Sequence, residues 1–134
     1  MPTIQAYITA GQPPASRQRL IALLTDAVVA SVDAPPEAVC VMLTEVPHEH
    51  YAVAGQPASA PRAVLQVFLI AGRSDAQKAR LIERLTAAAA AIGVAPEVVR
   101  VFIVDLPNSD FGLGGVTAAA LGRGIDRAAL LRQH

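Results

Sequence analysis

Pro2 is the first candidate for chemistry in this chain. It follows Met1 directly and opens the apolar stretch MPTIQAYI. Removal of the methionine, which a small second residue generally permits, would leave Pro2 with a free secondary amine that can accept a proton. The alternative is structural, because proline fits the first residue of a strand, where no ladder hydrogen bond is lost.

Two arginines occupy positions that a plain scaffold does not explain. Arg100 lies within the apolar run VVRVFIV, where a guanidinium is costly to bury unless an anion meets it. Arg73 follows Gly72 in a turn before a predicted helix, and a helix N-terminus favours an anion. The alternatives are a strand arginine that reaches solvent and a solvated loop arginine.

The chain repeats itself. Residues 8–25 align with residues 69–86 at a spacing of 61, and residues 35–47 align with residues 95–107 at a spacing of 60. A match of this length is not fortuitous, so we interpret the chain as a tandem duplication.

The two copies differ at the arginines. The first half carries Gln12 in the position of Arg73 and Cys40 in the position of Arg100. Packing requirements do not explain this asymmetry in a duplicated scaffold. A site to which the two halves contribute different residues would explain it. We interpret Cys40 itself as a small core residue.

Each half is predicted to contain a strand, a helix, a second strand and a hairpin. The first strands are expected at Thr3–Thr9 and Ala63–Ile70, and the second at Ala38–Glu45 and Val98–Leu106. The second strands are nearly continuous apolar runs, which is typical of strands covered on both faces.

The helices between these strands show the apolar period of 3.6 residues. The first starts near residues 14–16; the second has Ser74 as N-cap with Gln77 as its capping-box partner, and ends at Gly93. A helical crossover joins parallel strands with right-handed chirality. We therefore predict an α/β (α+β) fold: two β-α-β units, residues 1–58 and 59–134, forming one compact domain with a four-stranded sheet, both helices on one face and short hairpins.

The hairpin SDFGLGG, residues 109–115, carries one aromatic residue, Phe111. This side chain could wall a pocket or fill a seam between subunits. In the first half, His48 and His50 flank Glu49, but no third group of metal ligands accompanies them, so no metal site is expected.

Composition excludes several classes of protein. Of the 134 residues, 53% are hydrophobic and 16% charged, with a formal net charge of zero. These values argue against disorder and against a nucleic-acid partner, and the large apolar fraction favours self-association. One cysteine, no membrane-length apolar run and no signal-peptide pattern lead us to expect a cytoplasmic protein without a membrane partner.

Four features resemble the tautomerase superfamily, specifically 4-oxalocrotonate tautomerase and its fused, double-length relatives: Met1-Pro2 before a strand, GRSDAQK, APEVVRV and FGLGG. The resemblance implies that Pro2 is the catalytic base. It implies that Arg73 and Arg100 bind the substrate's carboxylate and polarise its carbonyl, and that Phe111 walls the pocket. Ile70 is assigned to substrate binding by its position three residues before Arg73.

The same resemblance implies a cofactor-independent isomerase that moves a proton in small 2-keto or 2-hydroxy unsaturated carboxylic acids. A nonpolar pocket and two guanidinium groups would lower the pKa of the proline amine towards neutrality, where a general base works best. The expected assembly is a homotrimer with one site per chain.

Three other functions remain open. Dehalogenating or hydrating relatives carry an acid just beyond the hairpin aromatic and an arginine where this chain has Ile70; here Gly112 follows Phe111. Decarboxylating relatives use an aspartate near the start of the first half's second strand, where Cys40 stands. The third alternative is a non-catalytic trimeric binding protein whose pocket is a remnant of a lost active site.

Overall fold

A computed structural model describes residues 2–124 of the chain and contains two β-α-β units that share one sheet. The elements in chain order are β1 (Thr3–Thr9), α1 (Pro14–Val32), β2 (Cys40–Val46), β3 (Ala52–Val53), β4 (Gln56–Pro57), β5 (Ala63–Ile70), α2 (Asp75–Ala90), β6 (Val99–Leu106), β7 (Gly112–Leu113) and β8 (Val116–Thr117). The predicted fold class is confirmed, and the predicted bounds of β1 and β5 match those observed.

The four long strands lie in the order β2-β1-β5-β6. Pairing within each half is parallel, as the helical crossovers require, and the central pair β1/β5 is antiparallel. Thr3 pairs with Phe68, and Ile8 pairs with Ala63. The amino end of β1 therefore lies beside the carboxyl end of β5.

One hydrophobic core lies between the sheet and the two helices. Alternate residues of the central strands point into it, and one face of each helix covers it; the largest buried members are Ile4, Ile8, Leu20, Leu24, Leu65, Leu69, Leu81 and Leu85. The predicted capping box of α2 is confirmed, because the Ser74 hydroxyl accepts from the Gln77 backbone N–H at 3.1 Å and the Gln77 side-chain Oε1 accepts from the Ser74 backbone N–H at 2.9 Å.

The predicted cover on both faces of the second strands is wrong for the single chain. Alternate residues of β2 and β6 are exposed, including Met42 at 46% and Phe102 at 48%. Both helices pack on the same face of the sheet, so the other face stays open. Cys40 lies on this open face and is exposed, which corrects its interpretation as a core residue.

Matched ion pairs join each helix to the strand that follows it. Arg17 on α1 contacts Glu45 on β2 at 2.8 Å, and Lys78 on α2 contacts Asp105 on β6. The second pair lies 61 and 60 residues beyond the first, which is the spacing of the sequence repeat. The duplication is thus visible in the polar contacts as well as in the core.

The predicted boundary between residues 58 and 59 falls just before the segment that leads into β5 and stays a prediction. Residues 125–134 of the predicted second unit lie outside the described residues. Within residues 2–124, neither helix combines the length and apolarity needed to cross a membrane.

Candidate functional site

Pro2 is buried at the amino end of β1, in the middle of the sheet. Its carbonyl accepts a hydrogen bond of 3.0 Å from the Cys40 N–H at the start of β2. On the other side, the pairing of Thr3 with Phe68 continues to place Pro2 opposite Leu69. Pro2 therefore lies between the start of β2 and the end of β5.

Arg73 lies at this same end of the sheet, in the turn that follows β5. The turn depends on Gly72, whose φ of 136° is disfavoured for residues with a side chain. The Nε atom of Arg73 is buried and has no hydrogen-bond partner among residues 2–124. A buried donor without a partner costs about 1–3 kcal/mol. An anion bound here would remove that cost.

A cavity of about 270 Å³ opens beside Arg73. Ile70 and Arg73 form one wall, residues between α1 and β2 such as Ala34 and Ala38 form another, and residues 121–124 close it. The first two walls are the chain segments that flank Pro2. The volume of this cavity is close to the lower end of the range for small-molecule sites.

Phe111 is brought to the same end of the sheet. Because β5 and β6 are parallel, Ile70 and Leu106 end side by side, and the hairpin that follows β6 turns towards β1. A second cavity of about 410 Å³ is lined by Thr3, Phe111 and residues 37–40. Ala38 lines both cavities, so the two adjoin just before the start of β2.

Arg100 lies at the opposite end of the sheet. It pairs with Val64, which in turn pairs with Tyr7, five residues beyond Pro2 on β1. At about 3.3 Å per residue and two strand spacings, Arg100 lies roughly 20 Å from Pro2 in its own chain. Ile70 and Arg73 thus line one cavity and Phe111 lines the adjoining one, at the end of the sheet where Pro2 is buried, whereas Arg100 lies apart.

Arg123 lines both cavities, and the sequence analysis missed it. The residue lies in the segment LGRG, beyond the repeat alignment, and its side chain is exposed. The flanking glycines, Gly122 at φ 70° and Gly124 at φ 80°, adopt left-handed backbone conformations that favour glycine. They are a weak signal that could have drawn attention to it.

The histidines of the first half lie away from this site. His48 contacts the carbonyl oxygens of Ala10 at 3.0 Å and Ala58 at 3.2 Å, and so links the end of β1 to the segment before β5. Across residues 2–124, no three His, Cys, Asp or Glu side chains cluster as ligands for a metal ion.

Comparison with known proteins identifies the family to which this chain is similar. The family model described as "Tautomerase enzyme" matches the chain twice, at residues 2–60 and 64–120. The chain is 40% identical to the 2-hydroxymuconate tautomerase of Pseudomonas sp. (strain CF600) over 62 residues, which are 46% of this chain and 98% of that protein.

Solved structures resemble the whole described chain. "R7 fused 4-OT wild type asymmetric trimer" has a TM-score of 0.84 at 42% identity and covers 90% of this chain and 99% of its own. "Crystal Structure of Pt0534 Inactivated by 2-Oxo-3-pentynoate" has a TM-score of 0.86 at 35% identity, with the same coverage of 90% and 99%. The chain belongs to the tautomerase enzyme family, as an isomerase that carries two copies of the family's domain in one polypeptide.

Proposed function

We propose that this chain is a cofactor-independent tautomerase of small 2-keto or 2-hydroxy unsaturated carboxylic acids, with Pro2 as its general base. The observation that carries the proposal is the placement of buried Pro2 at the same end of the sheet as Arg73, whose Nε has no partner among the described residues. A base and an anion-binding group are the two requirements for moving a proton in a carboxylate substrate.

The base in this mechanism is the free amine of Pro2 after removal of Met1. Burial disfavours the protonated amine, and the guanidinium of Arg73 at the same end of the sheet disfavours it further, so both favour the neutral base. The neutral amine takes a proton from the enol hydroxyl of the substrate and returns it at a carbon of the conjugated system. Electrons flow from the oxygen into that system, and the product is the ketone.

The anion-binding groups come from two chains. Arg73 of the same chain binds the carboxylate, and Arg100 of a neighbouring chain polarises the carbonyl oxygen, because roughly 20 Å separates Arg100 from Pro2 within one chain. The open sheet face, with Met42 and Phe102 exposed, supports an assembly that brings chains together. Solved relatives named as fused trimers support a homotrimer.

Ile70 and Phe111 complete the pocket as apolar walls. Ile70 is 8% exposed at the end of β5, and Phe111 is half-buried beside Thr3. Such walls exclude water, which strengthens the interaction between a guanidinium and the negative charge that develops on the substrate oxygen.

The substrate class has independent support from relatives. The half-length relative from Pseudomonas sp. (strain CF600) is named for 2-hydroxymuconate, and the solved relative Pt0534 is named as inactivated by 2-oxo-3-pentynoate. Both molecules are small unsaturated acids with an oxygen at carbon 2.

Two measurements test the proposal directly. Intact-mass analysis is expected to show a chain lacking Met1, because an amine blocked by methionine cannot act as the base. Ultraviolet absorbance is expected to show enzyme-catalysed ketonisation of 2-hydroxymuconate or phenylenolpyruvate. A retained Met1, or ketonisation no faster than in buffer, would refute the proposal.

Arg73→Ala is expected to lower kcat/KM by about 10- to 100-fold, because a charge-assisted hydrogen bond to a carboxylate contributes about 1.5–3 kcal/mol. Gln12→Ala is the matched control, since Gln12 holds the corresponding position in the first half. It should leave kcat/KM within about twofold of wild type. Steady-state kinetics compare the two, and a defect in Gln12→Ala as large as that in Arg73→Ala would contradict the assignment.

A further inference from the structure

We propose that Lys78 is a positioning residue for Arg73, because its ion pair with Asp105 fixes the turn that presents the Arg73 guanidinium to the substrate. This turn, residues 71–74, is called the Arg73 turn below. The inference rests on the proposed function and adds to it a group that acts through Arg73.

The Arg73 turn is fixed to β6 at both of its ends. Where the turn leaves β5, the Ala71 N–H donates to the Leu106 carbonyl at 2.7 Å. Where it enters α2, Lys78 near the start of the helix contacts Asp105, the residue before Leu106. Two neighbouring residues of β6 thus hold the two ends of the turn, and the place of Arg73 in the cavity wall depends on both.

The first half of the chain shows what the corresponding cation does. Arg17, which matches Lys78 in the repeat, contacts Glu45 at 2.8 Å. The same Arg17 nitrogen donates to the carbonyl of Gln12 at 2.9 Å, and Gln12 holds the position of Arg73. A helix cation paired with the following strand therefore contacts the turn itself in one copy, which supports a role in positioning the turn in the other.

The ion pair is too exposed to contribute much to folding. The side chains of Lys78 and Asp105 are 28% and 31% exposed, and such pairs add little to the free energy of unfolding. Position matters more, because a binding group displaced by about 1 Å can cost about a hundredfold in rate. We therefore expect loss of the pair to change catalysis while thermal stability stays nearly the same.

Lys78→Met is expected to lower kcat/KM for 2-hydroxymuconate by about three- to tenfold, mainly through KM, since Arg73 binds the carboxylate. Asp105→Ala should also lower kcat/KM. A purely electrostatic effect would do the opposite, because removal of a negative charge favours an anionic substrate. Lys78→Arg keeps the cation and should restore at least about half of the wild-type value. The unfolding midpoint of each variant should stay within about 5 °C of wild type.

The matched controls are Arg17→Met and Glu45→Ala, which remove the corresponding pair from the first half. Their kcat/KM should stay within about twofold of wild type, because the turn that Arg17 holds carries Gln12. Equal losses from the two pairs would assign both a merely structural role and overturn the inference. Wild-type kcat/KM in Lys78→Met would overturn it as well, and either result leaves the proposed function intact.

Amide hydrogen exchange tests the inference without any activity. Lys78→Met should speed exchange in residues 71–78 by at least about threefold and leave residues 10–17 unchanged, and Arg17→Met should do the reverse. If wild type ketonises neither 2-hydroxymuconate nor phenylenolpyruvate, the proposed function fails, and this measurement still decides the role of Lys78. Unchanged exchange of residues 71–78 in Lys78→Met would refute it.

Discussion

Pro2→Ala is expected to lower kcat by at least about a hundredfold, since general base catalysis contributes 10²–10⁴-fold. Alanine retains a primary amine, but it lacks the proline ring that holds the nitrogen in place. The substitution preserves the backbone carbonyl that accepts from Cys40, so the strand and the assembly should remain. Steady-state kinetics, intact mass and size-exclusion chromatography measure the three properties together.

Pro61→Ala provides the control for this variant, because Pro61 is an exposed proline in the segment before β5. Its kcat should stay within about twofold of wild type. Turnover by Pro2→Ala at the wild-type rate, with Met1 absent and the assembly intact, would eliminate the proline mechanism. A dissociated or unfolded Pro2→Ala would instead assign Pro2 a structural role.

The second large effect is recovery of activity when two inactive variants are mixed. Pro2→Ala and Arg100→Ala chains, refolded together in equal amounts, are expected to regain about one quarter of wild-type activity. In a cyclic trimer a site works when its own chain has Pro2 and its neighbour has Arg100, and each condition is met half the time. We expect this recovery because Arg100 lies at the far end of its own sheet from Pro2.

The matched control mixes Pro2→Ala with Arg73→Ala. Arg73 and Pro2 lie at the same end of one chain, so no mixed assembly contains a complete site. The activity of the mixture should therefore not exceed the residual activity of its Arg73→Ala chains, which make up half of the total. Recovery in this control, or its absence in the Arg100→Ala mixture, would show that the site is divided differently between the chains.

The sequence by itself determined the fold class and predicted most residues of the candidate site. Apolar periodicity and the repeat placed β1, β5 and α2, and the Ser74 capping box formed as expected. These features depend on neighbours close in the chain, which a sequence displays directly. The resemblance assigned Pro2, Ile70, Arg73 and Phe111, and all four lie at one end of the sheet.

Only the tertiary structure decided which groups share a site. The antiparallel pairing of β1 with β5 brings Pro2 to Arg73 and carries Arg100 away, and no local pattern specifies that register. Packing of both helices on one face exposes Cys40, because the other face of the sheet is left open. Arg123 lines the two cavities because of the path of the chain after β8, where no periodic pattern continues and a long-range contact with Asn108 holds the backbone.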